Sequence, residues 1–460
     1  AGSLVVFPEM CITGYTAEDL WLQEAFIKKE QVALAKIAAS VQSPIILGAS
    51  YSKNGKLYNA AYYVEGGKAE LVSIKKNLPN FGVFDDCRYF ASDDFFKLLP
   101  SGAAVLICED VWHESRIAEV KAAGAKSIIA INASPYEFGK VQQRQQIAIK
   151  SGLPFAYVNN VGGQDEIVFD GGSFVYDGSE FIQAAQFEEF VGELKTPIPP
   201  LSKEESNYKA MCLGLKDYVR KNGFKRVLLG VSGGIDSALV ATIAVDALGK
   251  ENVRGVILPT KYSSKITMED AYAVCKNLGI EHEEHEVWDH YKQEQGLTAE
   301  NMQSRTRGIM LMALSNKHNE LLLTTGNKSE IAVGYCTIYG DMNGAFNPIK
   351  DLYKTEVYEV AKWKNCIPAR VLTKAPTAEL RENQTDQDSL PPYDVLDAIL
   401  RQLIEGRKTA EEVTGFDMAI VQKVAKLVKL AEFKRRQAAI GVKLSAVAFG
   451  KDWRMPVTKI

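Results

Sequence analysis

A chain of 460 residues, 46% apolar and 24% charged, has the balance of a globular protein and is too long for one ordinary core, so two domains are expected. A formal net charge of −3 without a basic stripe argues against nucleic acid as the main partner, and no apolar run is long enough to span a bilayer. The seven cysteines are scattered and form no CxxC pair, which reads as reduced thiols in a cytoplasmic protein.

The chain begins at Ala1 and runs almost directly into an apolar strand, Leu4-Val5-Val6-Phe7. No signal peptide is visible, and N-terminal residues and some loops are expected to lie outside this sequence. The first strand ends in Phe7-Pro8-Glu9 and leads into Ile12-Thr13-Gly14-Tyr15. Helical spacing covers residues 25–41 and 115–123, with strands expected at 44–48, 105–107 and 127–131. Lys75 stands in a polar stretch, and Cys108 directly follows an apolar strand in Ile107-Cys108-Glu109-Asp110-Val111-Trp112. Glu, Lys and Cys are the parts of thiol-based amide cleavage. The thiolate attacks, the carboxylate serves as base on thiol and then on water, and the ammonium stabilises the oxyanion. Taken singly, each also reads blandly, as a buried thiol, a helix-entry acid and a surface charge. His113, after Trp112, raises a Cys–His pair as a further option, but the Glu/Lys/Cys set explains the segment better.

The segments FPE-x-x-ITGY, K-x-x-LPNFGVFDD-x-RYF and ICEDVW, in that order, resemble the glutamine amidotransferase branch of the nitrilase superfamily. Asn132-Ala133-Ser134-Pro135-Tyr136 and Asn160-Val161-Gly162-Gly163-Gln164-Asp165 fit the same branch. The resemblance implies an αββα sandwich, a Glu9/Lys75/Cys108 triad, and a glutamine pocket including Tyr15, Phe81, Asp86, Ser134 and Arg144. Phe81 and Asp86 stand where the family usually has Tyr and Glu. The lost hydroxyl and shorter carboxylate bear on the glutamine pocket, not on the triad.

Near Glu193 the texture changes to a proline-rich connector. The expected division is a first domain over 1–193, a linker over 194–205 and a second α/β domain over 206–460, opening with a helix over 206–222. Val227-Leu228-Leu229-Gly230-Val231, Ser232-Gly233-Gly234-Ile235-Asp236-Ser237 and the apolar residues 238–244 read as strand, tight turn and helix. Such a turn aims backbone N–H groups and a helix dipole at an anion. Gly233 and Gly234 allow close approach, Ser232 and Ser237 add hydroxyls, and Asp236 can hold a divalent cation. The Walker pattern is absent; a serine-rich βα turn is the plain alternative. Residues 258–264 sit at a strand end where adenine or ribose is met in doubly wound sheets. The segment His282-Glu283-Glu284-His285 is not HExxH and reads as a polar edge strand. Arg305 and Arg307 either address phosphate or carboxylate or belong to a solvated helix face. A strand over 321–323 delivers Thr324-Thr325-Gly326-Asn327-Lys328-Ser329-Glu330. Asp236 with Glu330 suits Mg²⁺ between ATP phosphates, and Lys354 suits charge developing on pyrophosphate. The run Lys434-Arg435-Arg436 reads as a phosphate contact or a helix-end charge cluster.

SGGIDS resembles the pyrophosphate loop of N-type ATP pyrophosphatases. Together with ENxQxRxR, TGNKSE, GYxTxYGD, PTAEL and KRRQ, it makes the chain resemble the glutamine-dependent NAD⁺ synthetases over essentially its whole length. This implies a C-terminal doubly wound parallel sheet of the adenine-nucleotide alpha hydrolase type. It implies ATP as co-substrate, Mg²⁺, and adenylation of nicotinic acid adenine dinucleotide, with glutamine-derived ammonia channelled in to displace AMP. Ser232, Gly233, Gly234, Asp236, Ser237, Thr325 and Lys354 would bind ATP. Arg305, Arg307, Glu330, Asp341 and Lys434 would bind the dinucleotide, with Asp236 and Glu330 holding the metal. A homo-oligomer is also implied. The competing readings are a tRNA-modifying ATP pyrophosphatase, GMP or asparagine synthesis, a paralogue with dead sites, and an enzyme using free ammonia alone.

Overall fold

Side-chain alternation along the strands decides the layering of the N-terminal half. The computed structural model describes residues 4–194, 199–288, 294–377, 379–382 and 384–458. Its contacts divide the chain into one unit of Ala1–Gln164 with Val168–Pro200 and another of Asp165–Ile167 with Leu201–Ile460. Residues 195–198 of the expected connector and Ala378 of PTAEL lie outside the described residues.

In the first unit β1 (Val5–Val6), β2 (Ile45–Lys53), β3 (Lys56–Glu65) and β4 (Lys68–Ile74) form one sheet in that order. The ribbon of β8 (Val161–Gln164) and β9 (Ile167–Asp170) stands apart from a second sheet, ordered β11-β10-β7-β6-β5. That sheet is built from β5 (Ala103–Ile107), β6 (Ser127–Asn132), β7 (Phe155–Asn159), β10 (Phe174–Tyr176) and β11 (Phe181–Gln183). The helices are α1 (Glu24–Ser40), the single turn α2 (Asp86–Tyr89), α3 (Glu114–Ala122) and α4 (Lys140–Ser151). On β2, Ile45, Leu47 and Ala49 pack with Leu34 and Ala38 of α1. Ile46 points the other way, into a layer with Ala103, Val105 and Ile107 of β5. The alternate β5 residues, Ala104 and Leu106, meet Ile117 and Val120 of α3 and Ala148 of α4. Period-two alternation thus gives helix, sheet, sheet, helix, an αββα sandwich.

The second unit carries six strands in the order β14-β13-β12-β15-β16-β17, every pairing parallel. They are β12 (Val227–Gly230), β13 (Val253–Ile257), β14 (Glu281–Glu284), β15 (Leu321–Leu323), β16 (Phe346–Asn347) and β17 (Ile440–Gly441). The chain moves outward from β12 to β14, then crosses back to β15 on the other side. That reversal opens a crevice beyond the C-terminal strand ends. The central strands read as unbroken apolar runs because both faces are covered. The helices relevant to the crevice are α5 (Lys203–Lys221), α6 (Ile235–Leu248), α7 (Lys265–Leu278), α8 (Gly296–His318), α9 (Lys328–Val333) and α10 (Lys354–Lys364). Helix α5 starts earlier than the pattern at 206 indicates, because Ser202 caps it by accepting from the Glu205 amide at 3.2 Å. The polar strand β14 lies at the sheet edge, where charge blunts unwanted pairing.

Candidate active sites

Strand β5 delivers Cys108. The chain leaves the strand through a tight 3-10 turn, Cys108–Trp112, with Cys108 at φ 46°. A left-handed conformation is uncommon outside glycine, and such strain gathers at functional sites. The thiol is buried, as are Glu9, just past β1, and Lys75, directly after β4. Lys75 Nζ donates to Glu9 Oε1 at 2.9 Å and to Asp86 Oδ2 at 2.7 Å. Glu9 also accepts from Asn59 Nδ2 at 2.7 Å and from the Ala133 amide at 2.8 Å. Tyr15 OH donates to Asp86 Oδ1 at 2.7 Å. Burial alone would lower the Lys75 pKa, but Asp86 and Glu9 outweigh it and hold the ammonium well above its ordinary range. Burial pushes the Cys108 thiol up, the Glu9 charge adds to this, and Lys75 and the Ala133 amide oppose it. At rest the centre is a protonated thiol facing a carboxylate and a fixed ammonium, the arrangement needed for base-assisted nucleophilic attack.

The residues expected around glutamine are placed unequally. Tyr15 and Asp86 join the Lys75 network, while Phe81 is 59% exposed and packs edge-on to Phe84. The Ser134 amide donates to Asn159 Oδ1 at 2.9 Å. The Arg144 guanidinium is buried and spends its donors on Asp170, on Ser134 Oγ and on the Ser134 and Pro135 carbonyls. It shapes the loop beside Cys108 and has no donor left for a substrate. Sequence reasoning missed Asn59, which hides inside the alternation of β3, and Lys140, which no spacing rule links to Cys108. Lys140 Nζ lies 4.5 Å from the centroid of the Trp112 ring. Burial lowers its pKa, while Glu137, Cys108 and Glu109 pull it back up. Glu109 lies 3.4 Å from His113 and is raised by burial. Its signal was present, since it adjoins Cys108.

In the second unit a cavity of about 480 Å³ opens at the crevice, lined by 230–236 and by Arg307, Thr325, Glu330, Asp341, Lys354 and Lys434 among others. Gly233 takes φ 76°, and a Cβ there would meet the Thr267 carbonyl at 2.3 Å. Gly234 caps α6, so the first amides of that helix face the cavity. Ser237 sits behind the turn. Its Oγ accepts from the Ser232 amide at 3.2 Å and donates to the Gly234 carbonyl at 3.1 Å. Three acids meet one ammonium here. Lys354 Nζ donates to Asp236 Oδ2 and, at 3.3 Å, to Glu330 Oε1. Asp386, which accepts from Tyr393 OH at 2.8 Å, adds its charge to the same group. Burial lifts Glu330 to about 8, with Lys354 opposing and Asp236 and Asp386 adding to the rise. Among the described residues no set of three or more metal-type side chains is placed to hold an ion. Asp236 and Glu330 are instead a two-carboxylate pair, the number Mg²⁺ takes when phosphate oxygens and water complete its shell. The surplus of acids over Lys354 fits a further cation.

Asp341 accepts from the Thr337 amide at 2.6 Å and from Ser304 Oγ at 3.2 Å. Lys434 Nζ donates to the Gly334 and Cys336 carbonyls at 2.8 and 2.7 Å, holding the loop that carries Tyr335. The two arginines are not brought together. Arg307 lines the cavity, whereas Arg305 is exposed and donates to the Ile338 carbonyl at 3.2 Å. Residues two apart on a helix lie about 200° apart around its axis.

A carbon-nitrogen hydrolase family matches residues 1–191, and an NAD synthase family matches 207–438. The chain is 43% identical over 505 residues to the glutamine-dependent NAD(+) synthetase of Rhodobacter capsulatus, covering 99% of this chain and 92% of that protein. The Xanthomonas campestris protein of the same name is 44% identical over 500 residues, covering 99% and 91%. The structure of glutamine-dependent NAD⁺ synthetase from Acinetobacter baumannii in complex with ADP aligns with a TM-score of 0.77 and 38% identity, over 99% of this chain and 91% of that one. All seven cysteines are unpaired, and no described helix is long and apolar enough to cross a membrane.

Proposed function

The chain belongs to the glutamine-dependent NAD⁺ synthetase family, and from that premise we propose how its two centres divide the work. The protein is a ligase that makes NAD⁺ with glutamine as nitrogen source and ATP as co-substrate. In the first unit Glu9 takes the Cys108 proton and the thiolate attacks the side-chain amide of glutamine. Lys75 stabilises the oxyanion, and ammonia leaves with the proton returned by Glu9. Glu9 then takes a proton from water, which cleaves the thioester to glutamate. In the second unit the carboxylate of nicotinic acid adenine dinucleotide attacks the α-phosphorus of ATP, giving an adenylate and pyrophosphate. The amides at the start of α6 and the Ser232–Gly234 turn cradle the departing pyrophosphate. Lys354 offsets its charge, and Asp236 and Glu330 would hold Mg²⁺, which when bound supplies charge neutralisation on the phosphates. Ammonia from the first centre then displaces AMP, passing between centres without mixing with solvent. Thr325 contacts ATP, and Arg307, Asp341 and Lys434 shape the dinucleotide side. The reading places the enzyme in the cytoplasm as a homo-oligomer.

The observation that carries this reading is the presence, in one chain, of a buried Glu9–Lys75–Cys108 centre and an SGGIDS-floored cavity with three acids around Lys354. The test is NAD⁺ formation from the dinucleotide, ATP and Mg²⁺ with glutamine or ammonium. Cys108→Ala is expected to lose the glutamine-driven reaction and keep the ammonium-driven one. Loss of both, or retention of both, refutes the division of labour.

A further inference from the structure

Asn327, the N-cap residue of α9, bridges the Asp236 carboxylate and the backbone amide of Glu330 in the ATP-side centre. It is fully buried. Its Oδ1 accepts from the Glu330 amide at 3.0 Å, capping α9, and its Nδ2 donates to Asp236 Oδ1 at 3.1 Å. The amide orientation follows from chemistry, because a backbone N–H can meet only the oxygen, which leaves the nitrogen for the carboxylate. The other Asp236 oxygen is held by Lys354. One side chain therefore ties the start of α6, which carries Asp236, to the turn that carries Glu330.

Capping alone does not account for this residue. A cap requires only an acceptor, and Ser, Thr or Asp supplies one as well as Asn does. Asp has no donor for Asp236 and a Ser or Thr hydroxyl is too short to reach it, so among the common caps Asn is the one that accepts from the Glu330 amide and donates to Asp236. We propose that Asn327 is a positioning residue that acts through Asp236 and Glu330, fixing the mutual orientation of the two carboxylates for Mg²⁺ and the ATP phosphates. The proposal rests on reading those carboxylates as the metal pair.

The experiment uses the full-length enzyme and the substitutions Asn327→Ser and Asn327→Thr. Both keep a cap acceptor and are too short to reach Asp236. Mn²⁺ binding in the presence of ATP, without dinucleotide, is followed by electron paramagnetic resonance. The Mg²⁺ dependence of ammonium-driven synthesis is measured alongside it. Mn²⁺ binding is expected to weaken about tenfold, the scale of one charge-assisted hydrogen bond. The half-saturating Mg²⁺ is expected to rise in step, with kcat at saturating Mg²⁺ within about threefold of wild type. Unchanged Mn²⁺ binding in both variants overturns the proposal, as does a fall in kcat with the Mg²⁺ dependence intact, which marks a purely structural cap. If the wild type itself binds no Mn²⁺ with ATP, the metal reading of Asp236 and Glu330 fails, and this inference with it.

Discussion

Lys75 is held by two carboxylates in a place without solvent, and the balance of charge there decides what each can do. When Glu9 takes the Cys108 proton, the negative charge passes to the sulfur and then to the oxyanion, so the neutralised Glu9 no longer holds the ammonium and a second, fixed charge is needed to keep it in place. Asp86 supplies that second charge, and Tyr15 fixes its direction. Asp86→Asn keeps the shape and removes the charge. Glutamine-driven NAD⁺ synthesis is expected to fall about 100- to 1,000-fold, the scale of one electrostatic donor in an active site. Ammonium-driven synthesis is expected to stay at the wild-type rate in the same preparation. Equal losses with both nitrogen sources would show a general folding defect instead. Lys75→Met goes further, leaving two buried acids without a cation, and is expected to destabilise the protein by about 3–5 kcal/mol in thermal or denaturant unfolding. Glu9, Lys75 and Cys108 are legible in the sequence because each is a polar residue at the end of an apolar run. Asn59 is not: it lies mid-strand, and only the fold brings its amide to Glu9; Arg144, mid-helix, entered through the resemblance alone, and its bonds to Asp170 and the 134–135 loop come from the fold.

Elements set these side chains through their ends. Gly233 allows the β12–α6 turn to pass under α7, where any Cβ would strike the Thr267 carbonyl. Gly233→Ala forces both a left-handed alanine and a backbone clash. It is expected to abolish ammonium-driven synthesis while glutamate production from glutamine persists, read in two separate assays. Helix α1 is fixed to β2 by Glu30, which accepts from the Ser50 amide at 2.9 Å and from Ser50 Oγ. Burial raises the Glu30 pKa, with the Ser50 contacts opposing. A raised folded value means the native state holds the proton more tightly than the unfolded chain. This contribution to stability is therefore present at low pH and is lost as pH climbs from the ordinary carboxylate value through the raised one. Glu30→Gln removes that titration. It is expected to gain about 1 kcal/mol over wild type at pH 7, with the gap closing toward pH 4.5, measured by urea unfolding across pH. The apolar strand segments at 44–48, 105–107 and 127–131, the α1 pattern and the strand–turn–helix at Ser232 were readable because burial on one or both faces imposes a period, whereas β3 and β4 carry enough polar residues to escape that reading. The rotation of Arg305 away from Arg307 was equally implicit in their spacing, but reading the two as one motif hid it. The apolar stripe of Tyr393–Ile404, with Leu396, Ile399, Leu400 and Ile404 buried against α9, went unread because it carries no polar motif to draw attention.

At the scale of the whole molecule, the chain has two units with their own layers and cores, and in the proposed function their steps share one product, ammonia. A free ammonia molecule at neutral pH is mostly protonated and then has no lone pair to attack an adenylate. An enzyme that released it to solvent would depend on total ammonium, and added ammonium would compete freely. Direct transfer makes the opposite prediction, and isotopes separate the two. The enzyme is supplied with glutamine labelled with ¹⁵N in its side-chain amide and a several-fold excess of unlabelled ammonium, at saturating ATP and dinucleotide. The ¹⁵N content of the NAD⁺ carboxamide is then read by mass spectrometry. With direct transfer the carboxamide is expected to be predominantly ¹⁵N, and to remain so as ammonium is raised until its own slower reaction competes. With release to solvent, the label follows the mixing ratio of the two pools from the first turnover. Cys108→Ala gives the baseline, since its product can carry only the unlabelled nitrogen. A wild-type label that tracks the pool ratio would leave the two centres as independent enzymes on one chain, coupled only through what each leaves in solution.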